Sequence, residues 1–149
     1  MTPLNLPKYK FKLKEEDNKV FIFDSIRKKY LQLTPEEWVR QNFIQFLIEE
    51  KGYPKSMFSI EKGIKVSNTQ KRVDIAIFNK DRQIEILVEC KAPEVKITQK
   101  AFDQIARYNL TLNAKFLIVT NGLSHFYALM DHENKKYIFL RELPAHNNQ

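Results

Sequence analysis

Glycine is scarce in this chain, with Gly52, Gly63 and Gly122 the only three among 149 residues. Neither GxxxxGK[ST] nor GxGxxG occurs, so the sequence makes no case for a nucleotide-binding loop, and the chain alone is not expected to be an ATP-driven motor. Its single cysteine, Cys90, excludes an internal disulfide and agrees with a reducing compartment. No apolar run approaches the roughly 20 residues that span a bilayer, and the opening MTPLNLPKYKFKLK lacks the apolar block of a secretory signal. The expected setting is the cytoplasm, with no membrane. His125, His132 and His146 have no zinc-ligand spacing. Repeats, low-complexity tracts and internal linkers are also missing. One domain is expected over residues 1–149, with a core at about 31–140 and an N-terminal β extension at 1–30.

What is present describes a folded, basic protein. Apolar residues make up 43% and aromatics 12%, enough for a core and unlike a disordered chain. Lys and Arg number 25 against 18 Asp and Glu, a net charge of +7. That excess favours a polyanionic partner, and nucleic acid comes ahead of an acidic membrane because no basic amphipathic helix is evident. The lysines of KYKFKLK and RKKY read equally well as solvated strand and loop faces.

Short strands are expected at 9–13, 20–23 and 29–33, with EEDNK as the turn between the first two. TPEEWVRQNFIQFLIEEKG carries the marks of a helix: Thr34 as N-cap, Pro35 at its first position, Glu37 placed to close a capping box, and Gly52 past the end. Val39, Phe43, Phe46 and Leu47 form its apolar stripe. Residues 58–66 read as one strand and SNTQK as a turn. Two more strands, 73–78 and 84–90, flank NKDRQ as a hairpin, and Pro93 stops the second. A second helix is expected from Thr98 to about Leu112, with Phe102, Ile105 and Ala106 inward. KFLIVT, nearly all apolar, reads as a strand covered on both faces. NG makes a turn, HFYALM and KYIFL follow as strands, and PAHNNQ reads as a frayed tail. Strand, helix, strand over 84–120 is a βαβ unit, which requires a parallel pair. The fold class is α/β (α+β): a mixed sheet with an antiparallel meander and a βαβ unit, flanked by helices.

VDIAIFNKDRQIEILVECKAP places three charges in otherwise apolar strands. With alternation of period two, Glu85, Leu87, Glu89 and Lys91 share one face, and Ile84, Ile86, Val88 and Cys90 the other. A hairpin centred between Asp81 and Arg82 pairs residue i with residue 163 minus i, setting Asp74 opposite Glu89 with Cβ atoms about 4.5–5.5 Å apart. Carboxylates that close repel unless a cation joins them, and Mg²⁺ takes such oxygen ligands while keeping several waters. Lys91 projects toward the same place, where an ammonium can stabilise developing phosphorane charge. The plain alternative keeps Asp74 and Glu89 as wet-face carboxylates, with Lys91 bridging one of them.

These residues resemble the PD-(D/E)XK nuclease superfamily, with "RVDIAIF" and "VECKAP" in the positions of its two acidic strands. The chain is more closely similar to the N-terminal nuclease domain of type I restriction enzyme R subunits. "LTPEEWVRQNFIQFLIEEKGYP", "KRVDIAIF", "VECKAP", "DQIARYN" and "FLIVTNG" occur in that family's order over roughly residues 31–122. The resemblance implies a restriction-endonuclease-like fold and a metal-dependent endodeoxyribonuclease. Asp74, Glu89 and the Cys90 backbone carbonyl would hold Mg²⁺, which Mn²⁺ can replace, and Lys91 would be the catalytic lysine. Val73 stands where the superfamily's name has proline. A helix acid often completes such sites, and Glu36 and Glu37 compete for that place. Glu36 is preferred because it falls on the side of Val39 and Phe43; equally, both acids can simply favour the helix N-terminus.

Gln104 and Tyr108 match the QxxxY motif of related nucleases, with the polar edge of a packed helix as the alternative. Lys71 or Arg72, Lys96, Lys100 and Arg107 read as phosphate contacts, or singly as solvated charges. The expected partners are DNA and the motor and specificity subunits of a restriction complex, so a domain in isolation can be inactive. Two-strand cleavage with one site per chain would require a homodimer. The rival reading is a non-catalytic nucleic-acid-binding module on the same fold.

Overall fold

A computed structural model of the chain describes residues 1–60, 63–66 and 69–147, with the backbone alone for 63–66 and 69–72. The chain opens with an antiparallel sheet of β1 (Leu13–Glu16), β2 (Lys19–Asp24) and β3 (Lys29–Gln32). The β1–β2 connection is two residues long, Asp17 and Asn18, both in left-handed backbone (φ 53° and 65°). Asp and Asn tolerate that region, and such a turn matches the twist of a hairpin. The first strand therefore runs over 13–16 rather than 9–13, and the glutamates of EEDNK pair into the ladder instead of forming a turn.

Helix α1 (Pro35–Glu49) begins as its cap predicts, with the Thr34 hydroxyl accepting from the Glu37 amide at 3.1 Å. A six-stranded sheet follows in the order β11-β10-β9-β8-β7-β4. Its strands are β4 (Phe58–Ile60), β7 (Ile75–Phe78), β8 (Ile84–Cys90), β9 (Phe116–Thr120), β10 (His125–Asp131) and β11 (Lys136–Leu140). Between β4 and β7 a separate hairpin forms from β5 (Gly63–Val66) and β6 (Thr69–Arg72). The expected single strand 58–66 is thus two elements in different sheets, and Thr69–Lys71 of the expected turn belong to a strand. Alternation identifies a strand but not its partner.

All neighbours in the large sheet are antiparallel except β8 and β9, the parallel pair of the βαβ unit. Its crossover helix, α2 (Gln99–Tyr108), starts at the Thr98 cap and ends short of Leu112 in a 3-10 turn over Leu110–Leu112. Val39, Phe43 and Leu47 of α1 pack with Ile75, Ile77, Ile86, Val88 and Ile118. On the other face Phe102 and Ala106 of α2 meet Ala76, Leu87, Leu117 and Val119. All five residues of β9 are buried, as its unbroken apolar run requires.

Two contacts tie down the ends. Asn5 donates its amide to the Gly122 carbonyl at 2.8 Å, and a Cβ on Gly122 would stand 2.7 Å from a Leu4 methyl. At the other end, residues 144–147 of the expected frayed tail are described, the last two lying outside the described residues, and His146 donates its amide to the Lys51 carbonyl at 2.7 Å and tilts its ring against Tyr53. Among the described residues no helix is long and apolar enough to cross a membrane. Phe102 is 1% exposed at the centre of the α2-side core. Phe102→Ala should cost about 3–5 kcal/mol, read as a lower urea midpoint.

Candidate active site

Ile75 pairs with Val88, Ala76 with Leu87 and Ile77 with Ile86, and in each pair the numbers sum to 163. Continued by one residue, this register sets Asp74 across from Glu89. It slips only at the far end, where Phe78 pairs with Ile84, so the hairpin is not centred between Asp81 and Arg82 throughout. The slip lies beyond Ile77 and leaves the charged end unaltered.

Asp74 occupies a bend just before β7, and its carboxylate is held at both oxygens. Oδ2 accepts from the Cys90 amide at 2.7 Å, so a side chain satisfies the last amide of β8. Oδ1 accepts from Arg40 Nη2 at 3.1 Å. Across from it, Glu89 Oε1 lies 3.7 Å from Lys91 Nζ, on the face they were expected to share. Burial first, and then the Asp74 charge, push the Glu89 carboxyl up to about 7, against the opposing pull of Lys91. Glu36 adds to the upward push. Cys90 turns its side chain into the α1-side core, and burial raises its thiol well above the ordinary value.

Arg40, 3% exposed, is the residue that sequence reasoning missed. Its guanidinium binds Asp74, pairs with Glu37 and reaches Glu36 Oε1 at 3.4 Å. One α1 cation therefore gathers three carboxylates. The only sequence signal was a charge within a helix that is otherwise apolar on its sheet-facing side.

Glu36 and Glu37 exchange the environments expected of them. Glu37 is 7% exposed, whereas the Glu36 side chain is 49% exposed. Glu37 gives its amide to Thr34, but its carboxylate goes to Arg40, to Gln41 Nε2 at 2.8 Å and toward Arg27 at 3.8 Å. The cause is the β1–β3 sheet, which covers the side of α1 that a single apolar stripe would leave wet. Asp24 of β2, fully buried, binds Gln41 at 3.1 Å and Arg27 at 2.7 Å. Burial alone would raise the Asp24 carboxyl, but its bonds from Arg27 and Gln41 hold it below the ordinary value.

The geometry brings together Asp74, Glu89 and Lys91, with Glu36 joined through Arg40. Gln104 and Tyr108 lie on the exposed side of α2, opposite Phe102 and Ala106, and Lys96, Lys100 and Arg107 are exposed. The side chains of Lys71 and Arg72 fall outside the described residues. Among the described residues no group of three or more His, Cys, Asp and Glu is arranged to hold a metal ion. The residues that would hold a cation are Asp74, Glu89 and, through its carbonyl, Cys90, an all-oxygen set of the kind that suits a hard divalent cation retaining several waters.

The family model described as type I restriction enzyme R protein N terminus matches residues 35–144. Among solved structures, the chain is similar to a fragment described as an HsdR subunit of a type I restriction enzyme from Vibrio vulnificus YJ016. The two are 21% identical with a TM-score of 0.53, a likeness of fold. The similarity covers 76% of this chain and 24% of the other, so the chain spans about a quarter of that protein. No curated protein matches the sequence.

Arg40→Met strips Glu37 of its buried counter-charge and should cost about 3–5 kcal/mol in urea unfolding. Glu89 titrates at about 7 when folded against an ordinary 4.5, so between those values the folded state binds more protons than the unfolded chain. Stability should therefore fall as pH rises through that window and level off above it. In Glu89→Gln, urea midpoints across the same pH series should lose this slope.

Proposed function

The chain belongs to the family of type I restriction enzyme R protein N-terminal regions, and within it we propose that this protein is a Mg²⁺-dependent endonuclease domain of the PD-(D/E)XK kind, hydrolysing phosphodiester bonds of DNA. The observation that carries this reading is the β7–β8 register, which sets Asp74 across from Glu89 with Lys91 Nζ 3.7 Å from the Glu89 carboxylate, where burial and Asp74 raise the Glu89 carboxyl. Asp74 has a structural part as well, but Glu89 beside it has no such part, and the two acids together suit a divalent ion. When bound, Mg²⁺ or Mn²⁺ supplies Lewis acidity toward a phosphodiester oxygen and makes a water acidic enough to attack.

This chain's residues supply the rest. Asp74, oriented by the Cys90 amide and by Arg40, presents one carboxylate. Glu89 presents the other, and the Cys90 carbonyl completes the protein's donors. Lys91, beside Glu89, stabilises negative charge that grows on the phosphate during in-line attack. Glu36, exposed at the start of α1, orients water. Gln104 and Tyr108 on α2, with Lys96, Lys100, Arg107, Lys71 and Arg72, hold the DNA backbone. Motor and specificity subunits of a type I restriction complex are the proposed partners, with a second copy for cleavage of both strands.

One observation favours the rival, a nucleic-acid-binding module without catalysis: Arg40 already supplies Asp74 with a resident cation. A Mn²⁺ titration followed by thermal unfolding separates the two readings. The nuclease reading expects stabilisation that is lost in Asp74→Ala, and an affinity that climbs about tenfold per pH unit up to about pH 7 as Glu89 gives up its proton. Lys91→Ala should keep that stabilisation while abolishing Mg²⁺-dependent DNA cleavage. No metal-induced shift in the unaltered chain would leave only the binding module.

A further inference from the structure

The antiparallel β1–β3 sheet lies before residue 35, outside the stretch that the family model matches. Its register sorts its side chains into two faces. Ile22 pairs with Leu13 and Leu31 on the face turned to α1, where Ile22 and Asp24 are fully buried. The opposite face carries Lys14 paired with Phe21, and Phe23 paired with Tyr30. Phe21 and Phe23 are half-buried and Tyr30 is 37% exposed, so ring surface is open to solvent.

Ammonium groups accompany these rings. Lys14 Nζ stands 4.4 Å from the Tyr30 centroid and 5.9 Å from that of Phe21, and Lys12 Nζ stands 5.5 Å from Phe23. Residues 1–33 hold eight Lys and Arg against four Asp and Glu, a net +4 of the chain's +7. Asp24 and Arg27 neutralise each other as a pair on the other face, which leaves seven bases against three acids, still +4, with Lys14 also 3.4 Å from Glu16.

We propose that this outer face of the N-terminal sheet binds single-stranded nucleic acid, with bases stacking on Phe21, Phe23 and Tyr30 and phosphates meeting Lys12 and Lys14. Rings set at 65° to one another on one sheet face, with ammonium groups beside them, offer both a π-face and a positive charge to the two repeating parts of a nucleotide, its base and its phosphate. Only unstacked bases can reach such rings, which selects single strands over a duplex. An acidic membrane would meet the lysines but has no planar groups for the rings. The inference goes beyond the proposed reaction and does not rest on it, because the α1-facing side of the sheet separates this face from Asp74 and Glu89.

The test is fluorescence anisotropy of the full chain with labelled oligothymidylate of about 16 nucleotides, a site size within the range of single-strand-binding folds. EDTA is present, so cleavage plays no part. The unaltered chain should bind the single strand more tightly than a duplex of equal length. Phe21→Leu/Tyr30→Ser should weaken binding at least about tenfold, as loss of base stacking does elsewhere. Lys12→Gln/Lys14→Gln, which leaves the core untouched, should lower the slope of log affinity against log salt by about 1.4. Both double variants should keep the Mn²⁺-induced thermal shift. Affinity and salt slope unchanged in both variants, a duplex bound as tightly as the single strand, or binding to phosphatidylserine vesicles without binding to the oligonucleotide would each overturn the proposal. The Mn²⁺ shift is read independently, so the metal-site reading stands or falls separately.

Discussion

The buried guanidinium of Arg40 is the contact on which the charged end of the sheet depends. Glu37, Glu36 and Asp74 come from two elements far apart in the chain, and one cation holds them together. Without it, Glu37 would be a buried carboxylate left, among the described residues, with Gln41 at 2.8 Å and Arg27 at 3.8 Å. A buried ion pair contributes little net stability relative to an apolar replacement, because desolvation opposes the attraction. Its consequence here is positional. Arg40 fixes the bend at Asp74 against α1, and the Cys90 amide fixes the same carboxylate against β8.

Among the described residues Glu89 receives no comparable partner. Lys91 lies 3.7 Å away and half exposed, and its attraction does not offset burial and the neighbouring acid. The asymmetry between the two carboxylates is the chemical content of the site: Asp74 is held at both oxygens by Arg40 and the Cys90 amide, whereas Glu89 is raised by burial and by Asp74. Perturbed acids of this sort concentrate where function requires them. Here the perturbation stands together with register, alternation and a lysine on the shared face.

The N-terminal sheet serves this arrangement in a way its sequence conceals. By covering α1 from outside, it buries Glu37 and Gln41 and links them to Asp24 and Arg27. A polar chain thus runs from β2 through the first two turns of α1 to Asp74. The family match begins at Pro35 and the solved relative shares 21% identity, so neither speaks to this addition at the residue level.

Local pattern by itself determined much of the molecule. Thr34 and Pro35 set the start of α1, the apolar run before NG set β9, and alternation about NKDRQ set the register that faces Asp74 toward Glu89. These are short-range properties of capping, period and turn geometry, and they survive whatever the rest of the chain does. Tertiary structure decided which sheet β4 and β5 joined, that the tail docks on Lys51, that Glu37 rather than Glu36 is buried, and that Arg40 reaches Asp74. Each of those outcomes depends on what lies across a space from the residue, and a periodic pattern carries the direction of a side chain but not the identity of what it meets.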